Sequence, residues 1–210
     1  GHQLRMLYTG TYEKTIADNH NFKIMGGYEA YKKYYTGAGG WADGFAVQPS
    51  EDMTLATGST KVYGGTTQGR SISMFGRFNY DYANKYLFEA SIRRDGYDNF
   101  GTNNRFGVFP SLSLGWNIAK ENFMADNKIF SNLKLRGSWG QIGNNTIDQF
   151  LYETAWTNSG LYEAYQDGKI VRGFRYTGIA NPNIKWETVT QWNVGLDWGL
   201  LNGKLNGTVE

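Results

Sequence analysis

Residues 71–82 alternate with little interruption. Ile72, Met74, Gly76, Phe78, Tyr80 and Tyr82 hold the even positions; Ser71, Ser73, Phe75, Arg77, Asn79 and Asp81 hold the odd ones. Side chains of a strand point to opposite faces in turn, so this period of two predicts a sheet with one apolar and one wet face. The pattern recurs in residues 86–95, where Tyr86, Phe88, Ala90 and Ile92 oppose Leu87, Glu89, Ser91, Arg93 and Asp95. In residues 106–118, Val108, Pro110, Leu112, Leu114, Trp116 and Ile118 oppose Ser111, Ser113, Gly115 and Asn117. Further strands are predicted over 3–13, 22–35, 133–141 and 188–200, with another beginning at Lys204. Pro110 lacks an N–H for the ladder, which predicts a bulge near it.

The connections alternate in length. Residues 14–21, 83–85, 119–132 and 201–203 are the shorter ones, and one helical turn is predicted around 121–124. Residues 36–68 and 142–187 are long and aperiodic, and 96–105 is a polar loop close in length to 119–132. Short turns at one end and long loops at the other are the habit of outer-membrane barrels. Phe22, Tyr80, Tyr82, Tyr86, Trp116 and Trp198 all fall near short-turn ends, where an interfacial aromatic girdle belongs.

Composition sharpens the picture. Of 210 residues 28 are Gly, 15 Tyr and seven Trp, so the apolar face is aromatic and the chain holds too few helical segments to cover it. No apolar run reaches the roughly 18 residues a spanning helix needs, and the negative mean hydropathy does not discriminate, since a membrane barrel alternates lipid-facing and wet residues. The expected fold is therefore all-β: about eight strands of a larger transmembrane antiparallel up-and-down β-barrel, with 1–210 as one partial barrel domain. Propellers and sandwiches compete, but their strands average about five or six residues, shorter than several here. Two open sheet edges would need completing by strands outside this sequence. Gly1 starts without Met and the last strand begins only at Lys204, which reads as an internal piece of a longer chain.

Four blocks resemble the barrel of SusC/RagA-type TonB-dependent outer-membrane transporters. They are GRFNYDYANKYLFEASIRRDG (76–96), FGTNNRFGVFPSLSLGWNIAKENFM (100–124), LKLRGSWGQIGNN (133–145) and NPNIKWETVTQWNVGLDWGLLNGKLNGTVE (181–210), in the family's order and spacing. The first seventy residues match only in style. The resemblance implies a barrel of about 22 strands in the cell outer membrane, among outer-membrane lipids, with a plug inside it, and energy supplied by a TonB complex through a region absent from this sequence. It also implies a SusD-like surface lipoprotein as a lid and import of an oligosaccharide or peptide substrate.

Candidate chemistry is sparse. A net charge of +2 gives nucleic acid no support as a partner, and the absence of Cys excludes thiolate zinc sites and disulfides. His2 and His20 read as polar barrel or turn residues, not metal ligands. GAGGWADG, residues 37–44, lacks the Lys-Ser/Thr of a phosphate loop and reads as a flexible loop. Asp95, Asp98, Asn99, Asn103 and Asn104 are hard oxygen donors without the spacing of an EF-hand, so a structural role is expected. No cofactor and no catalytic group is expected. Arg77, Glu89, Arg93, Lys134, Arg136 and Asp197 share the inward parity and are expected to pair in a wet lumen. Trp41, Phe45, Trp156, Tyr162 and Tyr165 lie in the long loops as candidates for stacking on sugar rings or meeting the lid. The competing functions are a soluble or surface-attached β-sheet adhesion module and a barrel that conducts passively or anchors an outer domain.

Overall fold

The computed structural model describes residues 1–45, 52–148, 151–166, 169–176 and 178–210. Among them run β1 (His2–Ile16), β2 (His20–Ala42), β3 (Thr60–Tyr82), β4 (Tyr86–Tyr97), β5 (Phe106–Asn117), β6 (Phe130–Asn144), β7 (Trp156–Gln166), β8 (Lys169–Tyr176), β9 (Glu187–Leu200) and β10 (Leu205–Val209). Eight strands form one sheet in the order β1-β2-β3-β4-β5-β6-β9-β10, and β7 with β8 forms a separate pair. Every pairing is antiparallel. The sheet is an up-and-down meander that does not close on itself: β1 and β10 each have one strand neighbour.

The turns β1–β2, β3–β4 and β9–β10 share one end. Each holds two consecutive residues in the left-handed region: Ala17 and Asp18 (φ 48° and 57°), Ala83 and Asn84 (51° and 54°), Leu201 and Asn202 (54° and 58°). Left-handed pairs match the twist of the flanking strands, which is why hairpin turns use them. The fourth connection at this end, 118–129, is longer than the 98–105 loop opposite, but two 3₁₀ turns, Ile118–Lys120 and Asn122–Met124, compact it. Glu121 ties it to the sheet, accepting hydrogen bonds from the Trp116 indole N–H at 3.0 Å and Lys85 Nζ at 3.2 Å. Those bonds and one from Tyr86, the largest influence, hold its carboxyl below the usual carboxylate range.

Register carries the alternation across the sheet. Tyr12, Ile24, Phe78, Ala90, Leu112, Trp139 and Trp192 face one another in a row, and Ile16, His20, Tyr82, Tyr86, Trp116, Leu135, Leu196 and Val209 form a parallel row at the short-turn end. This face lacks protein cover: among the described residues there is no helix layer and no second sheet upon it. Leu114 is 64 % exposed, Val194 70 % and Trp192 77 %. Burying such side chains is worth roughly 1.5–3 kcal/mol each, so the face requires an apolar medium supplied from outside.

Four expectations need correction. Residues 36–42 and 60–68 are not loop: β2 and β3 run on as a paired ribbon to Ala42 opposite Thr60. Their Gly- and Thr-rich ends show no hydrophobic period because neither face there needs an apolar medium. Residues 142–187 are not aperiodic throughout, since β6 extends into them and they carry β7 and β8. No register shift occurs at Pro110; it pairs with Ile92, and the β5–β6 ladder ends at Ser111 opposite Gly140, so its missing N–H falls past the end of that ladder. The link at 14–21 is mostly strand, closing on 17–19.

A small packed core sits at the long-loop end. Phe100 is fully buried and stacks on Trp186 with ring centroids 5.0 Å apart, and Phe109 meets the same indole edge-on at 5.4 Å. Trp186 donates to the carbonyl of Arg105 at 3.1 Å, Asn99 donates to that of Ile147 at 3.1 Å, and Asn104 to that of Pro182 at 3.4 Å. The amide-rich stretch thus uses Asn99 and Asn104 to lace the β4–β5 loop to the β6–β9 connection.

Two outcomes follow from this architecture. Arg in place of Leu112, Leu114, Val194 or Leu196 is expected to lower stability by about 2–4 kcal/mol in denaturant titrations of the full protein refolded into lipid vesicles; wild-type stability would mean these positions do not contact hydrocarbon. A lowered carboxyl pKa supplies stability that is present above the unfolded value and lost as pH falls through the folded one. The fluorine resonance of a 5-fluorotryptophan at position 116 should therefore shift below about pH 4.5, the ordinary Glu value. In Glu121→Gln that acid transition is expected to vanish.

Candidate functional site on the polar face of the sheet

The face opposite the aromatic rows is held together by cross-strand polar pairs. Period-two register brings charges of opposite sign within reach across neighbouring strands, the sheet equivalent of a helical i,i+4 pair. Arg5 meets Glu29 at 2.6 Å, Lys23 meets Glu13 at 2.6 Å and Arg77 lies 3.6 Å from Glu89. Glu89 also accepts from Asn79 at 2.6 Å, and Ser91 and Ser111 share a hydrogen bond of 2.7 Å. Arg93 is the most connected cation, with Asp95 at 2.8 Å, Glu29 at 3.9 Å and the Ser73 hydroxyl at 2.9 Å. Arg136 pairs with Asp197 at 3.3 Å and also with Glu210. Lys134 stands directly opposite Asp197 in the β6–β9 register.

The six charged residues singled out from parity therefore all lie on one face. They form three groups, not one cluster: Arg77 with Glu89, Arg93 with Asp95 and Glu29, and Arg136 with Asp197 beside Lys134. Two open hollows run between them. One of about 660 Å³ is lined by Glu13, Lys23, Asn79, Glu89, Arg136 and Asn193. The other, about 650 Å³, lies over Arg93, Asp95, Ser111 and Gln191. Exposed ion pairs of this kind are worth about 0–1 kcal/mol each, so the face is a wet, mixed-sign lining and not a store of stability.

Glu29 and Asp95 share the same parity; Asp95 meets Arg93 two residues along the same strand, whereas Glu29 comes within reach of Arg93 only through the β2–β3–β4 register. Parity did not account for aromatic residues on the polar side. Phe75 lies over Gly27, where a Cβ would come within 2.3 Å of the ring, and the Arg93 guanidinium covers the ring from 5.6 Å. Phe109 similarly covers Gly107 and Gly143 beneath Trp186. For Phe75 the signal available in sequence was Gly27, its partner once the hairpin turns set the register. Phe109 stands opposite Arg93, and the glycines it covers are Gly107 on its own strand and Gly143 on β6, neither of them a ladder partner.

The loop aromatics are dispersed. Trp41 is in β2, with Lys61 Nζ 5.7 Å from its ring centroid. Phe45 forms a lone bridge with Ala56 beyond the strand ends. Trp156 begins β7 and meets Tyr176 edge-on at 6.1 Å. Tyr162 and Tyr165 also fall on β7, but their side chains lie outside the described residues. Among the described residues no group of three His, Asp or Glu side chains is placed to hold a metal ion. His2 stacks on Tyr34 and His20 Nδ1 bonds Tyr80 Oη at 2.9 Å.

Comparison with known proteins agrees with this geometry. The family described as TonB dependent receptor-like, beta-barrel matches residues 3–210. TonB-dependent receptor P3 of Formosa agariphila is 38 % identical over 197 residues, 93 % of this chain and 19 % of that protein. TonB-dependent receptor SusC of Bacteroides thetaiotaomicron is 37 % identical over 203 residues, 95 % of this chain and 20 % of that protein. Among solved structures, the RagAB peptide transporter superposes with a TM-score of 0.87 at 24 % identity, over 97 % of this chain and 22 % of that one. The chain thus spans about a fifth of the length of the curated relatives it matches. It belongs to the TonB-dependent receptor-like β-barrel family, and its eight-stranded sheet is a section of an outer-membrane barrel wall of SusC/RagA type.

Proposed function

We propose that the protein containing this chain imports a nutrient oligomer, glycan or peptide, across the outer membrane in a TonB-dependent step. The apolar rows face lipid, and the polar face with Arg77, Glu89, Arg93, Lys134, Arg136 and Asp197 lines the lumen. The observation that carries this reading is the constancy of the two faces: through eight strands one stays exposed and apolar while the other is cross-linked by polar pairs. A mixed-sign, hydrated lining lets a polar oligomer pass without a strong single-sign field to trap it. Its role is passage, not bond chemistry. The likeness to SusC and to RagAB supports a SusD-like surface lipoprotein as partner at the long-loop end, with the TonB complex engaging a region outside these residues.

The faces are testable because the chain has no Cys. In a cysteine-free full-length protein in intact outer membranes, Ser113→Cys is expected to react with a water-soluble maleimide and Leu114→Cys to resist it. Equal labelling of both would overturn the assignment of faces. For the transport step, cells carrying the full protein are expected to lose growth on the oligomer, and not on its monomer, when TonB is removed. Growth independent of TonB would identify a passive conduit instead.

A further inference from the structure

Three cations stand on the apolar parity of the sheet, toward the end remote from the short turns. Lys32 faces Arg70 directly across β2 and β3, and Arg94 lies on β4 between Met74 and Val108. Arg70 is twelve residues from Tyr82 on its own strand, and Arg94 is eight from Tyr86. At about 3.4 Å per residue and a strand tilt of about 40°, they stand roughly 30 and 20 Å above the short-turn girdle. The outward apolar band of a membrane barrel is about 25 Å tall, so the two arginines bracket its far margin.

The two faces treat such charges differently. On the polar face Phe75 lies over Gly27 and carries Arg93, which pairs with Asp95 and Glu29. The apolar face repeats the device. Phe106 lies over Gly96, where a Cβ would come within 2.4 Å of the ring, and the Arg94 guanidinium stands 4.4 Å from the ring centroid. Gly96 is farther from the short turns than Arg94, so the side chain carries its charge toward the membrane surface. Arg94, however, meets no carboxylate: among the described residues neither it nor Lys32 nor Arg70 forms an ion pair.

Like charges directly opposite in a sheet repel, and Lys32 and Arg70 are such a pair. The carboxylate at their level is Asp98, whose backbone N–H donates to the Arg70 carbonyl at 3.2 Å and whose Oδ1 is buried. Three cations thus stand against one carboxylate. Between their levels runs an apolar row of Met6, Ala30, Ile72 and Phe106. An open hollow of about 540 Å³ there is lined by Arg70, Ile72, Gly96, Asp98, Phe106 and, from the β4–β5 loop, Arg105.

We infer that Lys32, Arg70 and Arg94 bind the phosphate headgroup of an anionic lipid in the outer leaflet. This rests on the assignment of faces proposed above, since these side chains must meet the bilayer. A Lys or Arg near a membrane surface attracts anionic headgroups, and ionisable side chains on the lipid side are otherwise costly. The levels of Arg70 and Arg94 are roughly 14 Å apart along the strands, with apolar side chains between them. That layout suits a molecule with both an anionic head and hydrocarbon, and suits a free phosphate less well.

The test is native mass spectrometry of the full-length protein in detergent micelles, titrated with monophosphoryl lipid A, its dephosphorylated form, or sodium phosphate. Saturable retention of the phosphorylated lipid is expected, with the dephosphorylated form held at least fivefold more weakly. Lys32→Gln, Arg70→Gln and Arg94→Gln are each expected to weaken retention about threefold to tenfold, and Asp98→Asn to strengthen it. Arg70→Lys, which keeps the charge, should bind near wild type. Lys33→Gln, one residue along on the opposite face, should not change it. Equal retention of both lipids, or wild-type retention in all three glutamine variants, overturns the site. Binding of inorganic phosphate as tight as that of the lipid overturns the lipid assignment, and an equal loss in Lys33→Gln overturns the location. Maleimide labelling at positions 113 and 114 decides the faces separately: with labelling as expected and no lipid retained, this site alone fails.

Discussion

The backbone ladder constrains everything else in this molecule. A strand that slipped by one residue would turn every side chain to the opposite face. From β1 through β6 the register runs without a shift, and the one irregularity of the eight-stranded sheet among the described residues, between Phe130 and Asn132, lies at the edge of the β6–β9 pairing. Because that ladder holds, Phe78, Leu112 and Trp192 fall in one row although more than a hundred residues separate the first from the last. The polar network on the other side depends on it equally. Arg93 reaches Glu29 because β3 sets the spacing between their strands, not because either side chain seeks the other.

Where a face must choose between two media, the choice is written in the sequence. The alternation of 71–82, 86–95 and 106–118 located β3, β4 and β5 and their faces, and Asn202-Gly203 marked its hairpin. Above the membrane that pressure ceases. The upper halves of β2 and β3 meet water on both sides, so Gly37, Gly39, Gly64 and Gly65 replace the alternation and the ribbon resembles a loop. The same reasoning explains why β7 and β8 escaped notice. Pro110 misled for a different reason: a proline penalty depends on which neighbouring strand is still present at that level, which is a fact of tertiary structure.

The charged lining was legible as a set but only partly as pairs. Parity put Arg77, Glu89, Arg93, Lys134, Arg136 and Asp197 on one side and set Asp95 beside Arg93 on the same strand, whereas the reach of Arg93 to Glu29, two strands away, comes from register. Likewise no pattern in 98–105 announces that Phe100 packs beneath Trp186, because that contact joins two loops from distant parts of the chain. Short-range periodicity reports the environment of a residue; long-range partners emerge only when the strands are in place.

The scarcity of buried apolar side chains has a consequence for how the molecule comes into being. Phe100 and Phe109 are the buried hydrophobic side chains among the described residues. A domain ordinarily collapses around its own core in water, but two phenyl rings cannot offset the conformational entropy of ordering such long strands. The folded sheet therefore has little reason to exist before the bilayer is at hand. For this stretch of sheet, ordering of the strands and their entry into the bilayer are coupled, because the bilayer supplies the burial that the strands do not give one another.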